Sequence, residues 1–307
     1  MKILYFPLCI VIFLATAFNC KENSSAADIA MANNETESTS SLENKTSEVN
    51  QQFNDYWYAG EAEISSFQLS QARYGELREG TAALIFVTED FLPDVQVKAD
   101  QHNTDNVSVL KLNSTKNFNT GIYPYSIMQS AFYPVANNQH AIKVSCSVQE
   151  WCGQVYTQIN NRSKFDIVSH SYFQSEADEH LSLKKEILEN QLWNQLRIDP
   201  KSLPVGKHQI IPSLEFIRLK HIELKAYEAE AKLSESTYAI NYPELNRRLV
   251  ITFNPDFPYD IESWEETFNE GSKPMTTTAK RLKLIKSAYW TKNSVADDGL
   301  RDTLKLD

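Results

Sequence analysis

Glycine is scarce: the 307 residues include eight, about a third of the usual share. Phosphate-cradling loops need clustered glycines, and neither a Walker sequence, a dinucleotide fingerprint nor a nucleophile elbow occurs. Histidine is thin as well. His102, His140, His170, His180, His208 and His221 include no pair with zinc-protease or zinc-finger spacing. Positive charge is short: 30 Lys and Arg stand against 40 Asp and Glu, a formal net charge of −10. That balance argues against nucleic acid as a partner. The basic residues near the C-terminus, Lys280, Arg281, Lys283 and Lys286, read as a solvated strand face. The sequence therefore offers no catalytic residue, no metal ligand set and no cofactor.

What is present begins at the N-terminus. Lys2 precedes an almost wholly apolar run from Ile3 to Phe18. Roughly 16 helical residues at about 1.5 Å each reach about 24 Å, short of a hydrocarbon core of about 30 Å. Residues 1–19 are expected to be a secretory signal peptide. The run ends in Ala17-Phe18-Asn19-Cys20, which resembles a relaxed lipobox of the kind seen in Bacteroidota, with Asn19 where a strict one has a small residue. That resemblance implies a lipid on Cys20 and an exported protein anchored at the outer membrane, on either its periplasmic or its surface side. One acyl chain anchors marginally and two or three durably, at about 0.8 kcal/mol per buried CH₂. The membrane, through this anchor, is the one partner the sequence implies directly.

Residues 20–52 follow as a polar, acidic tether without an aromatic residue. Such a segment cannot bury enough apolar surface to offset chain entropy and is expected to be disordered. Every Trp lies beyond Phe53. Residues 53–307 are expected to form a single β-rich domain, since no Pro/Gly/Ser-rich break divides them.

The dominant period there is two. Strands are expected at Glu61–Arg73, Thr81–Thr88, Val107–Leu112, Tyr123–Val135, Ala141–Val148, Gly153–Ile159 and Phe165–Phe173. Asn137-Asn138 reads as a hairpin turn. Ser182–Leu196 places Ile187, Leu188, Leu192 and Leu196 on one helical face and is stopped by Asp199-Pro200. Strands resume over Gln209–Leu219 and His221–Leu233, then at Tyr238–Tyr242, Leu249–Phe253, Pro258–Phe268 and Thr277–Trp290. The expected fold is mainly β: a large antiparallel, strongly curved sheet or open barrel, with one helix (about 182–196) across its concave face.

Cys146 and Cys152 are the remaining thiols. A turn between 147 and 151 would let them form a disulfide, and a continuous strand would hold them too far apart. Even-numbered Ile142, Val144, Cys146 and Val148 give way to odd-numbered Trp151, Val155 and Ile159, which marks a turn or bulge between 148 and 151. Two buried thiols beside Trp151 are the alternative. Asp94, Asp100, His102 and Asp105 form one acidic loop, and His170, Glu176, Asp178, Glu179 and His180 another. Both read as solvated loops; the first lacks the glycine and closing glutamate of an EF-hand. Neighbouring carboxylates such as Glu265 and Glu266 point to opposite faces of a strand. The five tryptophans suit a ligand cavity, a stacking surface or ordinary core. Asp302-Thr303-Leu304 resembles a Bacteroidota O-glycosylation acceptor.

The blocks Trp57-Tyr58-Ala59-Gly60-Glu61-Ala62-Glu63, Gln71-Ala72-Arg73-Tyr74-Gly75-Glu76 and Cys146-Ser-Val-Gln-Glu-Trp-Cys-Gly153 resemble an uncharacterised family of Bacteroidota lipoproteins, over about residues 53–293. Members sometimes carry the label septum formation inhibitor Maf. Maf pyrophosphatases have a Ser-Pro-Arg-Arg phosphate motif that this chain lacks, so the resemblance carries over no catalytic residue. The expectation is an envelope lipoprotein that binds a hydrophobic or lipid-like small molecule without catalysis. A structural or interaction lipoprotein of the outer membrane is the alternative. A hydrolase of envelope polymers comes third, with His170, Glu179 and His180 as first suspects.

Overall fold

The computed structural model describes residues 51–136 and 140–306. The signal peptide, Cys20, the tether as far as residue 50 and the Asn137-Asn138 turn lie outside the described residues. Residues 51 and 52, expected at the end of the tether, already belong to a helix over 51–57 (α1).

Sixteen strands form one sheet. In chain order they are β1 (Ala62–Arg73), β2 (Glu76–Leu92), β3 (Val97–Lys98), β4 (Val107–Thr120), β5 (Tyr123–Pro134), β6 (Lys143–Glu150), β7 (Gly153–Asn161), β8 (Phe165–Ser171), β9 (Glu179–Leu183), β10 (Ile187–Leu188), β11 (Gly206–Ile211), β12 (Tyr227–Leu233), β13 (Thr237–Tyr242), β14 (Arg247–Phe253), β15 (Ile261–Glu270) and β16 (Lys273–Ser287). Neighbours are antiparallel except β10 and β11. The spatial order is β10 through β16, then β1, β2 and β4 through β9, with β3 pairing only β2.

The sheet therefore begins and ends at β10 and β9, which residues 184–186 alone separate in the chain. Four Cα steps of about 3.8 Å span at most about 15 Å. A sheet this wide with edges that close must curl into an open barrel, as the sequence implies. Alternation sets its inner face. Tyr238, Ile240 and Tyr242 on β13 are buried, as are Leu249, Ile251 and Phe253 on β14. The registers Tyr238↔Ile251 and Ile240↔Leu249 bring them side by side.

The expected helix over 182–196 starts late. The helix α2 runs Glu189–Ile198, and residues upstream form β9 and β10. Leu188, Leu192 and Leu196 do share its buried face, but Leu181, Leu183 and Ile187 satisfy a strand equally well. It is also not the only helix. The segment Leu214–Lys220, expected as strand, is a helix (α3), and Gly299–Leu304 is another (α4). Ser213 caps α3, its hydroxyl accepting from the Phe216 N–H at 3.3 Å. His221 ends it in the left-handed conformation, φ 51°. Leu304 of α4 packs with Ala62, Ile64 and Val87 on the outer face of β1–β2.

Candidate functional site

The interior divides into two unlike halves, and α3 stands between them. Its Glu215 faces one half, while Leu214, Ile217, Arg218 and the capping His221 line the other. Positions i, i+3, i+4 and i+7 share one helical face, and the residue one step on points about 100° away.

The first half lies under α2. Lys116 sits at an inward position of β4, between Leu112 and Phe118, and its Nζ donates to Glu215 Oε1 at 2.8 Å. Gln129 of β5 donates to the other Glu215 oxygen at 2.9 Å. Arg247 of β14 forks onto Glu189, with Nη2 to Oε1 at 2.7 Å, and its Nε reaches Glu266 Oε1 at 2.7 Å. Tyr242 donates to Glu189 Oε2 at 2.6 Å. Behind this group, Arg197 holds Glu63 bidentately at 2.5 and 2.6 Å. The remaining space, bounded by Trp193 and Trp264, is a cavity of about 40 Å³.

Each cation here is held by at least one carboxylate. Burial costs a charge several kcal/mol, and only tight, hydrogen-bonded pairing offsets it. Burial alone would raise the Glu189 carboxyl, but the charge and hydrogen bonds of Arg247, with the Tyr242 hydroxyl, hold it below the usual range. Glu215 moves the other way. Burial pushes it up, Lys116 pulls it down, Glu266 adds to the rise, and the net direction is upward. Glu189, Glu215 and Glu266 outnumber Lys116 and Arg247, so Glu215 is the member that most readily takes a proton. No sequence expectation covers this cluster. The available signal was charge at inward parity: Lys116 among Leu112 and Phe118, Arg247 ahead of Leu249, Glu266 between Trp264 and Phe268. Glu265 points outward, as strand alternation requires.

The second half lies where the sheet fails to close. A cavity of about 470 Å³ is bounded by β7, β8, the edge strand β9, α3 and the segment 221–224. Val155 and Thr157 of β7, Ser169 of β8, and Glu179, Leu181 and Leu183 of β9 face it, each set at spacing two. Leu214, Ile217, Ile222 and Leu224 close the other side. Ligand sites occupy about 300–1,000 Å³, with apolar walls and few polar groups. Thr157 and Ser169 satisfy each other at 2.8 Å. The unsatisfied polar feature lies at one end, on Arg218.

The residues singled out from the sequence do not converge on chemistry. His170 pairs with Asp178 at 3.4 Å and His180 with Asp166 at 2.6 Å, both exposed; of the three hydrolase suspects only Glu179 faces the cavity. His102 lies against Asp90. Among the described residues no three His, Cys, Asp or Glu side chains are placed to share a metal ion. Cys146 and Cys152 are free thiols, one buried and one exposed. β6 runs unbroken to Glu150 and turns at Trp151-Cys152, so Cys146 pairs with Thr157 and not with the turn. About 13 Å of strand separates Cys146 from Glu150, at about 3.3 Å per residue, too far for a bridge. Burial pushes the Cys146 thiol well up, leaving it poorly nucleophilic. Trp57 and Trp264 are core residues, Trp193 packs against that core, and Trp151 and Trp290 are exposed.

No family model and no curated protein matches the sequence. Among solved structures, the chain is similar to a β-barrel-like protein of a domain of unknown function (DUF1849) from Brucella abortus, with 7% identity and a TM-score of 0.43 over 73% of this chain and 97% of that one. It is also similar to a porin-like protein from Bacteroides uniformis, with 9% identity and a TM-score of 0.21 over 72% of this chain and 96% of that one. No helix among the described residues is long and apolar enough to cross a membrane.

Proposed function

We propose that this is a non-catalytic binding protein of the cell envelope that holds a hydrophobic or lipid-like ligand in the cavity beside α3. The observation that carries the reading is that cavity: about 470 Å³, with seven leucine, isoleucine and valine side chains among its fifteen lining residues. Empty apolar volume of this size forfeits packing that a folded core would otherwise gain. A ligand that fills it restores those contacts. The protein is exported through residues 1–19 and anchored by lipid on Cys20 at the outer membrane, as expected of the lipoprotein family its sequence blocks resemble.

A second reading, an interaction lipoprotein, draws on Ile122, Trp151 and Tyr172, which are 84%, 69% and 73% exposed at the ends of β-strands. Large exposed apolar groups mark contact surfaces. The two readings part on the state of the interior. Native mass spectrometry of the exported protein, followed by solvent extraction, is expected to find one apolar molecule per chain. A chain that is intact, empty and unable to take up an apolar ligand would turn the conclusion toward the second reading.

A further inference from the structure

At one end of the cavity four polar side chains meet. The Arg218 side chain is 10% exposed and lines the cavity. Its guanidinium lies over the Phe173 ring, 4.5 Å from the centroid. Its Nη1 donates to Glu176 Oε1 at 2.9 Å and stands 3.1 Å from His221 Nδ1. That ring nitrogen is itself 2.8 Å from Glu176 Oε1, and the Ser171 hydroxyl donates to Glu176 Oε2 at 2.8 Å. The Arg218 Nε–H is buried and has no hydrogen-bond partner. Leaving such a donor unpaired costs about 1–3 kcal/mol, more for a charged group. One face of the guanidinium is thus spent on Glu176, and another donor remains unspent at the edge of a cavity whose long wall is leucine and isoleucine.

Building on the binding reading above, we propose that the cavity holds a single-chain amphiphile with a carboxylate head. The head accepts from the free edge of Arg218. The chain lies along Leu181, Leu183, Leu214, Ile217, Ile222 and Leu224. Charge selects the head. Three carboxylates line the cavity: Glu176 is held by Arg218, Glu223 by Lys225 at 2.9 Å, and Glu179 faces it from the exposed β9 edge. One guanidinium already shared with a carboxylate suits a single negative charge and opposes a phosphate dianion. Charge-assisted contacts from Arg to carboxylate are roughly twice as strong as neutral ones. A hydrocarbon or an ester gains only the apolar walls.

The test is a displacement titration on the full chain. Hexadecanoic acid, its methyl ester and hexadecylamine compete with an apolar fluorescent dye below their aggregation limits. The acid is expected to bind about tenfold or more tightly than the ester, the scale of one charged hydrogen bond, and the amine most weakly. Arg218→Gln is expected to bring the acid down to the affinity that the same variant shows for the ester, with the urea unfolding midpoint reporting an intact fold. Equal binding of acid and ester by the native protein overturns this proposal alone. So does an acid preference that survives Arg218→Gln. If neither dye nor any of the three binds, the binding reading itself falls with it.

Discussion

The interior holds two solutions to one problem. Under α2, space is filled by ion-paired charges: Lys116 with Glu215, Arg247 with Glu189 and Glu266, Arg197 with Glu63. Beside α3, the space stays open, its walls mix leucine, isoleucine and valine with polar side chains, and one Arg218 donor is unsatisfied. The first arrangement leaves a ligand almost no room, about 40 Å³, even though a polar atom such as Asn194 Oδ1 is unpartnered. The second leaves both volume and a donor to be supplied from outside. Buried charge alone therefore does not mark a functional site; incomplete pairing next to empty volume is the better sign.

The largest expected effect comes from breaking the filled half. Arg247→Met strands Glu189 and Glu266 without their cation, and removing one partner of a buried pair costs about 3–5 kcal/mol. Urea unfolding should show that loss as a lower midpoint. A change under about 1 kcal/mol would mean these charges are hydrated in solution, and the contrast between the halves would collapse.

Next is a matched pair of additions. Ala131→Phe forces a ring into the filled half and should cost about 1–3 kcal/mol. Val155→Phe places the same ring in the open half and should cost nothing, with a gain of up to about 1 kcal/mol from filling space. Equal losses from the two would show that the open volume is not there in solution.

The smallest effect is in pH dependence. Glu215 is raised in the folded protein, so the folded state holds its proton more tightly. Its contribution is full below the ordinary carboxylate range and is lost as pH rises through the folded value. Glu189 is lowered, so its contribution is present above that range and is lost as pH falls through the folded value. Glu215→Gln should flatten the decline of stability on the rising side and leave the acid limb in place. If Glu215→Gln removes the acid limb instead, the two assignments are reversed.

Much of the sheet was legible because period two is written plainly where one face is buried. Tyr238–Tyr242 and Leu249–Phe253 pair as their alternation requires. The β6–β7 turn lies at Trp151-Cys152, at the edge of the place where apolar parity switches. The helices were harder. Ile187 and Leu188 fit either period, so the start of α2 was set too early. Leu214, Phe216 and Leu219 passed for strand, although Pro212-Ser213 ahead of them carried a helix-start signal. The site was least legible. Leu181, Leu183, Ile217 and Ile222 are unremarkable core residues in sequence, and what makes them a cavity is that β9 and β10 do not meet. That is a property of sheet width and closure, and no local spacing records it.

What separates the open half from the filled one is that it accepts an apolar molecule. Titrating an apolar fluorescent dye into the native full chain and into the Val155→Phe variant measures this directly. One saturable site per native chain is expected, and its loss in the variant, with both chains folded. A site that survives Val155→Phe, or a native chain that takes up no dye, would contradict it.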